Sequence, residues 1–193
     1  MHRNRYCWLF IGLVAWLLPT TERMPDRTSR NETERKIMKF SAKGQDKLKK
    51  FEGFLNVEAP DRAGYPTIGY GHKIKQGERF GIISEQTALT IMLEDVSPLE
   101  EFLNNYIGKK LTQNQFDALI IFMYNIGDTA FLNSSVFRDI KDGKMEEATV
   151  PWAKWINITK KEFDPKTGKI VKKLIPVKGL LNRRLQEIQL FNT

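Results

Sequence analysis

Apolar and polar residues alternate along this chain in four distinct manners, and each predicts a different kind of element. Tyr6 to Leu18 is an unbroken apolar run of thirteen residues behind Arg3 and Arg5. From Thr20 to Phe40 the residues are polar and charged, without sustained periodicity. At Ser41 helical spacing begins. Leu48, Phe51 and Leu55 share a face, Lys43, Lys47 and Lys50 lie elsewhere, and Gly53 stops the helix near Phe54. Between Asn56 and Phe80, Tyr65, Ile68, Tyr70 and Ile74 alternate among Pro60, Gly64, Pro66, Gly69, Gly71 and Gly77, which predicts a short, turn-rich antiparallel ribbon.

Helical periodicity returns after Ser84, with Ala88, Ile91, Met92 and Val96 on one face. Thr112-x-x-Gln115 is a capping box, Phe116, Leu119, Ile120 and Met123 form the stripe behind it, and Gly127 closes that helix. Shorter helices are predicted over Ser135–Lys141, Lys144–Trp155 (with Pro151 shortening or kinking it) and Leu180–Phe191. Asp164–Gly168 reads as the turn of a hairpin rich in lysine: Lys160, Lys161, Lys166, Lys169, Lys172 and Lys173. The whole is helical with one extended region, and the apolar stripes are core.

The thirteen-residue run would rise roughly 20 Å as a helix, short of the ~30 Å hydrocarbon core. Behind arginines, at the start of the chain, it reads as residues 1–19 of an export signal or of a retained weak membrane anchor. No Ala-x-Ala follows it. Residues 20–40 are predicted as a linker and 41–193 as one folded domain, a length that buries a core without disulfides.

Composition adds exclusions. Cys7 is the only cysteine, so an intramolecular disulfide and a Cys-based zinc site are ruled out. With His2 and His72 the only histidines, no metal or other cofactor is expected. Thirty-one Lys+Arg against 23 Asp+Glu give a net charge of +8, which suits nucleic acid, an acidic membrane or an anionic cell wall. No nucleic-acid-binding motif accompanies it.

The candidate chemistry lies where the first helix meets the ribbon. Glu52 sits at the edge of an apolar face, where desolvation would raise its pKa and keep it protonated as a general acid. Asp61 stands in a Pro/Gly loop, better solvated and expected to be ionised. Two carboxyl groups in contrasting settings are what glycoside hydrolysis uses. Thr67 follows in the ribbon, where its hydroxyl can hold a water beside Asp61. As isolated residues, these also fit a helix end and an Asx-type turn.

The pattern Glu52-x8-Asp61-x5-Thr67 is flanked by Phe51-Glu52-Gly53 and Thr67-Ile-Gly-Tyr-Gly-His72. Leu111-Thr-Gln-Asn-Gln-Phe-Asp-Ala-Leu119 with Tyr124-Asn-Ile-Gly127, and Gly179-Leu-Leu-Asn-Arg-Arg184 with Glu187, follow in order. Over about residues 41–193 the chain resembles the phage-type lysozymes, or endolysins, of glycoside hydrolase family 24. That resemblance implies an α+β, mainly helical, two-lobed fold with a small β-ribbon lobe and a larger helical lobe. It implies an enzyme that lyses bacterial walls by cleaving the β-1,4 bond between N-acetylmuramic acid and N-acetylglucosamine in peptidoglycan; a monomer is expected, and the N-terminal run predicts its export. By position, Glu52 is then the general acid, and Asp61 and Thr67 place and activate the water. The family suggests inversion, with a covalent step at Asp61 as the other possibility.

Five residues are candidates for substrate binding: His72 and Tyr70 in the ribbon motif, Gln113 and Asn125 as donors to acetamido groups, and Arg184 toward substrate carboxylates. Four have a structural alternative: a hydrogen bond in a turn for His72, core packing for Tyr70, a helix cap for Asn125, and capping or interlobe ion pairing for Arg184 and its neighbour Arg183. The lysine-rich hairpin over 157–177 is an addition to the simple phage form, either a wall-binding extension or a solvated insertion. A wall-binding or inhibitory protein that kept the fold without activity is the alternative class, and the intact carboxyl pair with Thr67 argues against it.

Overall fold

The computed structural model describes residues 37–61 and 64–193. The apolar run and most of the predicted linker lie outside the described residues. Within them, α1 (Ala42–Glu52) leads into a three-stranded antiparallel sheet of β1 (Leu55–Pro60), β2 (Pro66–Gly69) and β3 (His72–Lys73), in that order. There follow α2 (Glu85–Tyr106), a 3₁₀ turn (Gly108–Lys110), α3 (Gln113–Ile126), α4 (Asp128–Leu132), α5 (Ser135–Lys141) and α6 (Thr149–Trp152). A two-stranded ribbon of β4 (Asn157–Asp164) and β5 (Lys169–Pro176) then precedes α7 (Lys178–Phe191).

Local chemistry sets the helix starts. Ser41, Ser84 and Thr112 are N-caps, each side chain accepting from the backbone N–H three residues on, and Thr112 and Gln115 form the reciprocal capping box. Gly127 closes α3 at φ 86°, a conformation that glycine adopts without a steric penalty.

α3 is the centre of the helical lobe. Phe116 to Met123 are all buried, so this helix is apolar nearly all round rather than on one stripe. α1, α2, α4 and α7 pack around it. Phe131 and Trp152 fill the space beside it, packed on Phe122 of that helix, with the Phe122 and Trp152 ring centroids 4.7 Å apart. The single polar member of that buried run, Asp117, is fully used. It accepts from the Ser41 backbone N–H, the Ser41 hydroxyl and Gln113 Nε2, and so pins the start of α1 to α3. Gly44 permits that contact, since a Cβ there would collide with the Phe40 ring and the Asp117 carboxyl.

Two expectations change. The fold begins before Ser41: Phe40 is buried, its N–H donates to Glu100 at 2.7 Å, and Met38 exchanges two hydrogen bonds with Asn104. Side chains of α2 thus satisfy a backbone stretch that carries no periodicity of its own. The predicted helix over Lys144–Trp155 is mostly turns, and only Thr149–Trp152 is helical. Pro151 lacks an N–H and fits without the loss of a helical bond only in a first turn, so the helix restarts just ahead of it. α2, in contrast, runs through Pro98 for 22 residues and forgoes one bond to do so.

Candidate active site

The sheet is held against the helical lobe by its inner residues, Thr67, Ile68, Gly69 and Tyr70, all buried. Thr67 pairs with Ala59 across β1–β2 and with Lys73 across β2–β3. Glu52 is the last residue of α1, with only Gly53 and Phe54 between it and β1, and Asp61 immediately follows that strand. β1 therefore links the two carboxylates directly, and β2 returns Thr67 to the Asp61 end.

Glu52 is not in a purely apolar setting. Its Oε1 lies 2.7 Å from Nη1 of Arg183 on α7. Oε1 is buried and makes no directed hydrogen bond, so the contact is an ion pair lying off the N–H axis. The other carboxylate oxygen faces the turn at Gly71, where φ is 85° and a Cβ would stand only 3.3 Å from Oε2. Glycine at 71 leaves that oxygen unobstructed.

Arg183 is itself over-determined. Nε donates to Glu187 Oε1 at 3.0 Å, Nη2 donates to the Ile121 carbonyl at 3.3 Å, and the guanidinium lies over the Phe51 ring. Glu187, fully buried, also accepts from Arg184 Nη2 at 2.9 Å and from Trp152 Nε1 at 3.0 Å. Burial pushes the Glu187 carboxyl above its ordinary pKa, against the pull of both arginines. Burial also pushes Arg184 down to about 10, which leaves it charged at neutral pH.

At the other end of β1, Asp61 closes the β1–β2 connection. Its Oδ1 accepts from the Tyr65 N–H at 2.8 Å, and its backbone N–H and carbonyl pair with Tyr65 and Gly64. The side-chain bond reaches four residues on, so the loop is closed more widely than the Asx-type turn the sequence offered, and it fixes the carboxylate's orientation. The Thr67 hydroxyl donates to the Ala59 carbonyl at 2.9 Å. A hydroxyl has one proton, so toward any further partner Thr67 acts only as an acceptor.

The structure does not bring all the substrate-binding candidates to this site. His72 is buried with both ring nitrogens engaged, Nδ1 with Asp95 at 2.7 Å and Nε2 with Glu78 at 3.0 Å, and has none left for a sugar. Burial works against its charged form, but the bonds to Glu78 and Asp95 outweigh that and hold its pKa above the ordinary value. Tyr70 is buried against Phe54, and its carbonyl accepts from the Tyr124 hydroxyl, so its ring is core and does not stack on substrate. Burial holds that Tyr124 phenol in its protonated form well above the usual range.

Gln113 donates both amide hydrogens, to Lys39 O and Asp117 Oδ1, at the start of α1. The helix's 11 residues place Glu52 roughly 16 Å away along the axis. Arg184 is completely buried, stacked on Phe122 and bonded to Asn125 Oδ1 at 2.7 Å, out of reach of solvent. Asn125 is exposed beside it and caps nothing; the Gly127 N–H closes α3 instead. The residue that touches Glu52 is Arg183, and the sequence signal for it was the Arg183/Glu187 spacing of four on one helix face. Among the described residues no group of three or more His, Cys, Asp or Glu could hold a metal ion.

A β-ribbon lobe set on a larger helical lobe, with an ion-paired glutamate at their junction, defines a lysozyme-like fold. The phage lysozyme family model matches residues 49–187, and the chain belongs to that family. It is 32% identical over 158 residues to the endolysin of Acyrthosiphon pisum secondary endosymbiont phage 1, covering 81% of this chain and 99% of that one. To the endolysin of Bacillus phage PZA it is 33% identical over 160 residues, which span 81% of this chain and 56% of that longer relative. Among solved structures, the muramidase domain of SpmX from Asticaccaulis excentricus superposes with a TM-score of 0.67 at 33% identity, over 80% of this chain and 98% of that one. The endolysin from Escherichia coli O157:H7 phage FAHEc1 gives 0.65 at 34%, over 80% and 93%.

Proposed function

We propose that this protein is a peptidoglycan hydrolase, a muramidase that cleaves the β-1,4 bond between N-acetylmuramic acid and N-acetylglucosamine. The observation that carries this reading is Glu52 at the junction of the two lobes. Arg183 clamps one carboxylate oxygen, and the glycine turn at 71 keeps the other clear. Glu52 acts as general acid. It gives a proton to the glycosidic oxygen as the C–O bond breaks, and Arg183 faces the carboxylate that results.

Asp61 and Thr67 place and activate the water. The Thr67 proton is committed to Ala59, so a water there donates one hydrogen to Thr67 and the other to the Asp61 carboxylate. Its lone pair is then directed at the sugar. Asp61 takes the proton as water attacks, which balances the one Glu52 gave up. Asn125, exposed next to the arginine pair, is the surviving candidate for an acetamido contact.

Mass spectrometry of muropeptides released from purified walls tests the reaction. Reducing-end N-acetylmuramic acid is expected, and an anhydro product would replace hydrolysis by a lytic transglycosylase reaction. The basic, then apolar N-terminus supports export, as a cleaved signal or a retained tether, although among the described residues no helix is long and apolar enough to cross a membrane. N-terminal sequencing of fractionated protein separates those two, and a full-length cytosolic product would refute both.

A further inference from the structure

The β4–β5 ribbon carries an unusual surface. Its strands pair in unbroken register from Asn157↔Pro176 to Asp164↔Lys169, and Val177 N–H to Ile156 O closes its base. Eight residues per strand make an arm about 26 Å long. In an antiparallel pair, opposed residues share a face and neighbours alternate. One face therefore carries Thr159/Leu174, Lys161/Lys172 and Phe163/Ile170; the other carries Ile158/Ile175, Lys160/Lys173, Glu162/Val171 and Asp164/Lys169.

The first face is exposed and apolar at once. Phe163 is 67%, Ile170 70% and Leu174 67% accessible. No acidic residue lies on it. Glu162 and Asp164, the ribbon's only acids, are on the other face, where Glu162 pairs with Lys160 and Asp164 is bound into the turn by Lys166 N–H and the Thr167 hydroxyl. Six lysines against those two acids give the ribbon +4, half the net charge of the chain.

We propose that this ribbon docks on anionic phospholipid bilayers, with Phe163, Ile170 and Leu174 entering the interfacial region and Lys161 and Lys172 reaching the headgroups. The physical case is the combination. Apolar side chains gain by leaving water, and lysines between them lay their stems along the same surface while their ammonium groups meet acidic headgroups. A hydroxylated glycan would satisfy the lysines but offers nothing to Ile170 or Leu174. A second copy would set +4 against +4. This docking surface is separate from Glu52 and Arg183 and does not depend on the hydrolase reading.

The full chain is tested on vesicles of phosphatidylcholine alone and of phosphatidylcholine mixed with phosphatidylglycerol. The N-terminal apolar run could also bind vesicles, so the readout is placed on the ribbon: a nitroxide at Ile170→Cys in a Cys7→Ser background. On the anionic vesicles the label is expected to gain oxygen accessibility and lose nickel-chelate accessibility. Lys161→Gln/Lys172→Gln, which removes charge and leaves the apolar face intact, is expected to weaken that transfer about 30-fold. Phe163→Ser/Leu174→Ser is expected to abolish it. The proposal is overturned if the label stays equally water-accessible on both vesicles, or if the lysine pair can be replaced without effect. It is also overturned if the label is immobilised only by purified peptidoglycan, or only by raising protein concentration, which would assign the ribbon to the wall or to a second copy.

Discussion

Arg183 meets Glu52 through a single guanidinium nitrogen, Nη1 at 2.7 Å from Oε1, while its other two nitrogens are bound by Glu187 and the Ile121 carbonyl. A planar three-nitrogen fork is needed to make all three contacts, and a lysine ammonium cannot span them. Arg183→Lys is expected to lower kcat on purified walls by about 10²-fold through misplacement of Glu52, with KM little changed. An unchanged kcat with a raised KM would make Arg183 a substrate-binding residue instead.

Glu52→Gln keeps the shape of the side chain and removes the transferable proton. Lysis of purified walls should fall by about 10³-fold or more, since general acid catalysis typically contributes 10²–10⁴. The melting temperature should stay within a few degrees of wild type. Wild-type turbidity clearance by this variant would remove Glu52 from the mechanism.

Glu187→Ala leaves two buried guanidinium groups and the Trp152 indole N–H without their shared acceptor. Loss of one partner from a buried ionic cluster costs about 3–5 kcal/mol. For a domain of this size that is a fall in melting temperature of about 10 °C. Calorimetry checks it. A loss of only a degree or two would show that the cluster relaxes or admits water.

The His72 bridge makes stability depend on pH. Its folded-state pKa is raised, so the contribution is complete below the unfolded value of about 6.5 and is lost as pH rises through the higher folded value. Asp95→Asn removes the 2.7 Å partner. Because that carboxylate is partly exposed, the cost at pH about 5.5 should be about 2–3 kcal/mol, below the usual buried-pair figure. The gap between variant and wild-type melting temperatures should shrink toward pH about 9. A gap independent of pH would mean that the ring is not an imidazolium in the folded protein.

Thr67→Val preserves shape but removes the acceptor proposed for the water and the donor to Ala59 O. Thr67→Ser restores both. Valine is expected to lower kcat by about 10²-fold and serine to recover most of it, as for groups that position a reactant. Equal rates for the two would remove the hydroxyl from the mechanism.

What could be read from sequence follows from how far each interaction reaches. Ser41, Ser84, Thr112 and Gly127 were legible as caps because a cap bonds within its own turn. The ribbon, its turns and the hairpin at 164–168 were legible for the same reason. Phe40 was not, because its backbone partner is Glu100, sixty residues on. Arg183 and Arg184 are adjacent, about 100° apart around α7, so only one can face Glu52. Which one depends on how α7 is rolled against α3, a tertiary fact. For His72 the structural hydrogen bond is the reading that holds: Glu78 lies six residues on, within reach of local reasoning, whereas Asp95 comes from α2 and only the fold supplies it.

The ion pair between α1 and α7 also bears on the order of synthesis. Glu52 leaves the ribosome early, and Arg183, with the Glu187 that aims it, lies in the final helix. A nascent or prematurely terminated chain lacks both that guanidinium and the helix that packs most extensively on α3. Completion of the polypeptide is in this way a built-in licence for activity, withheld from fragments.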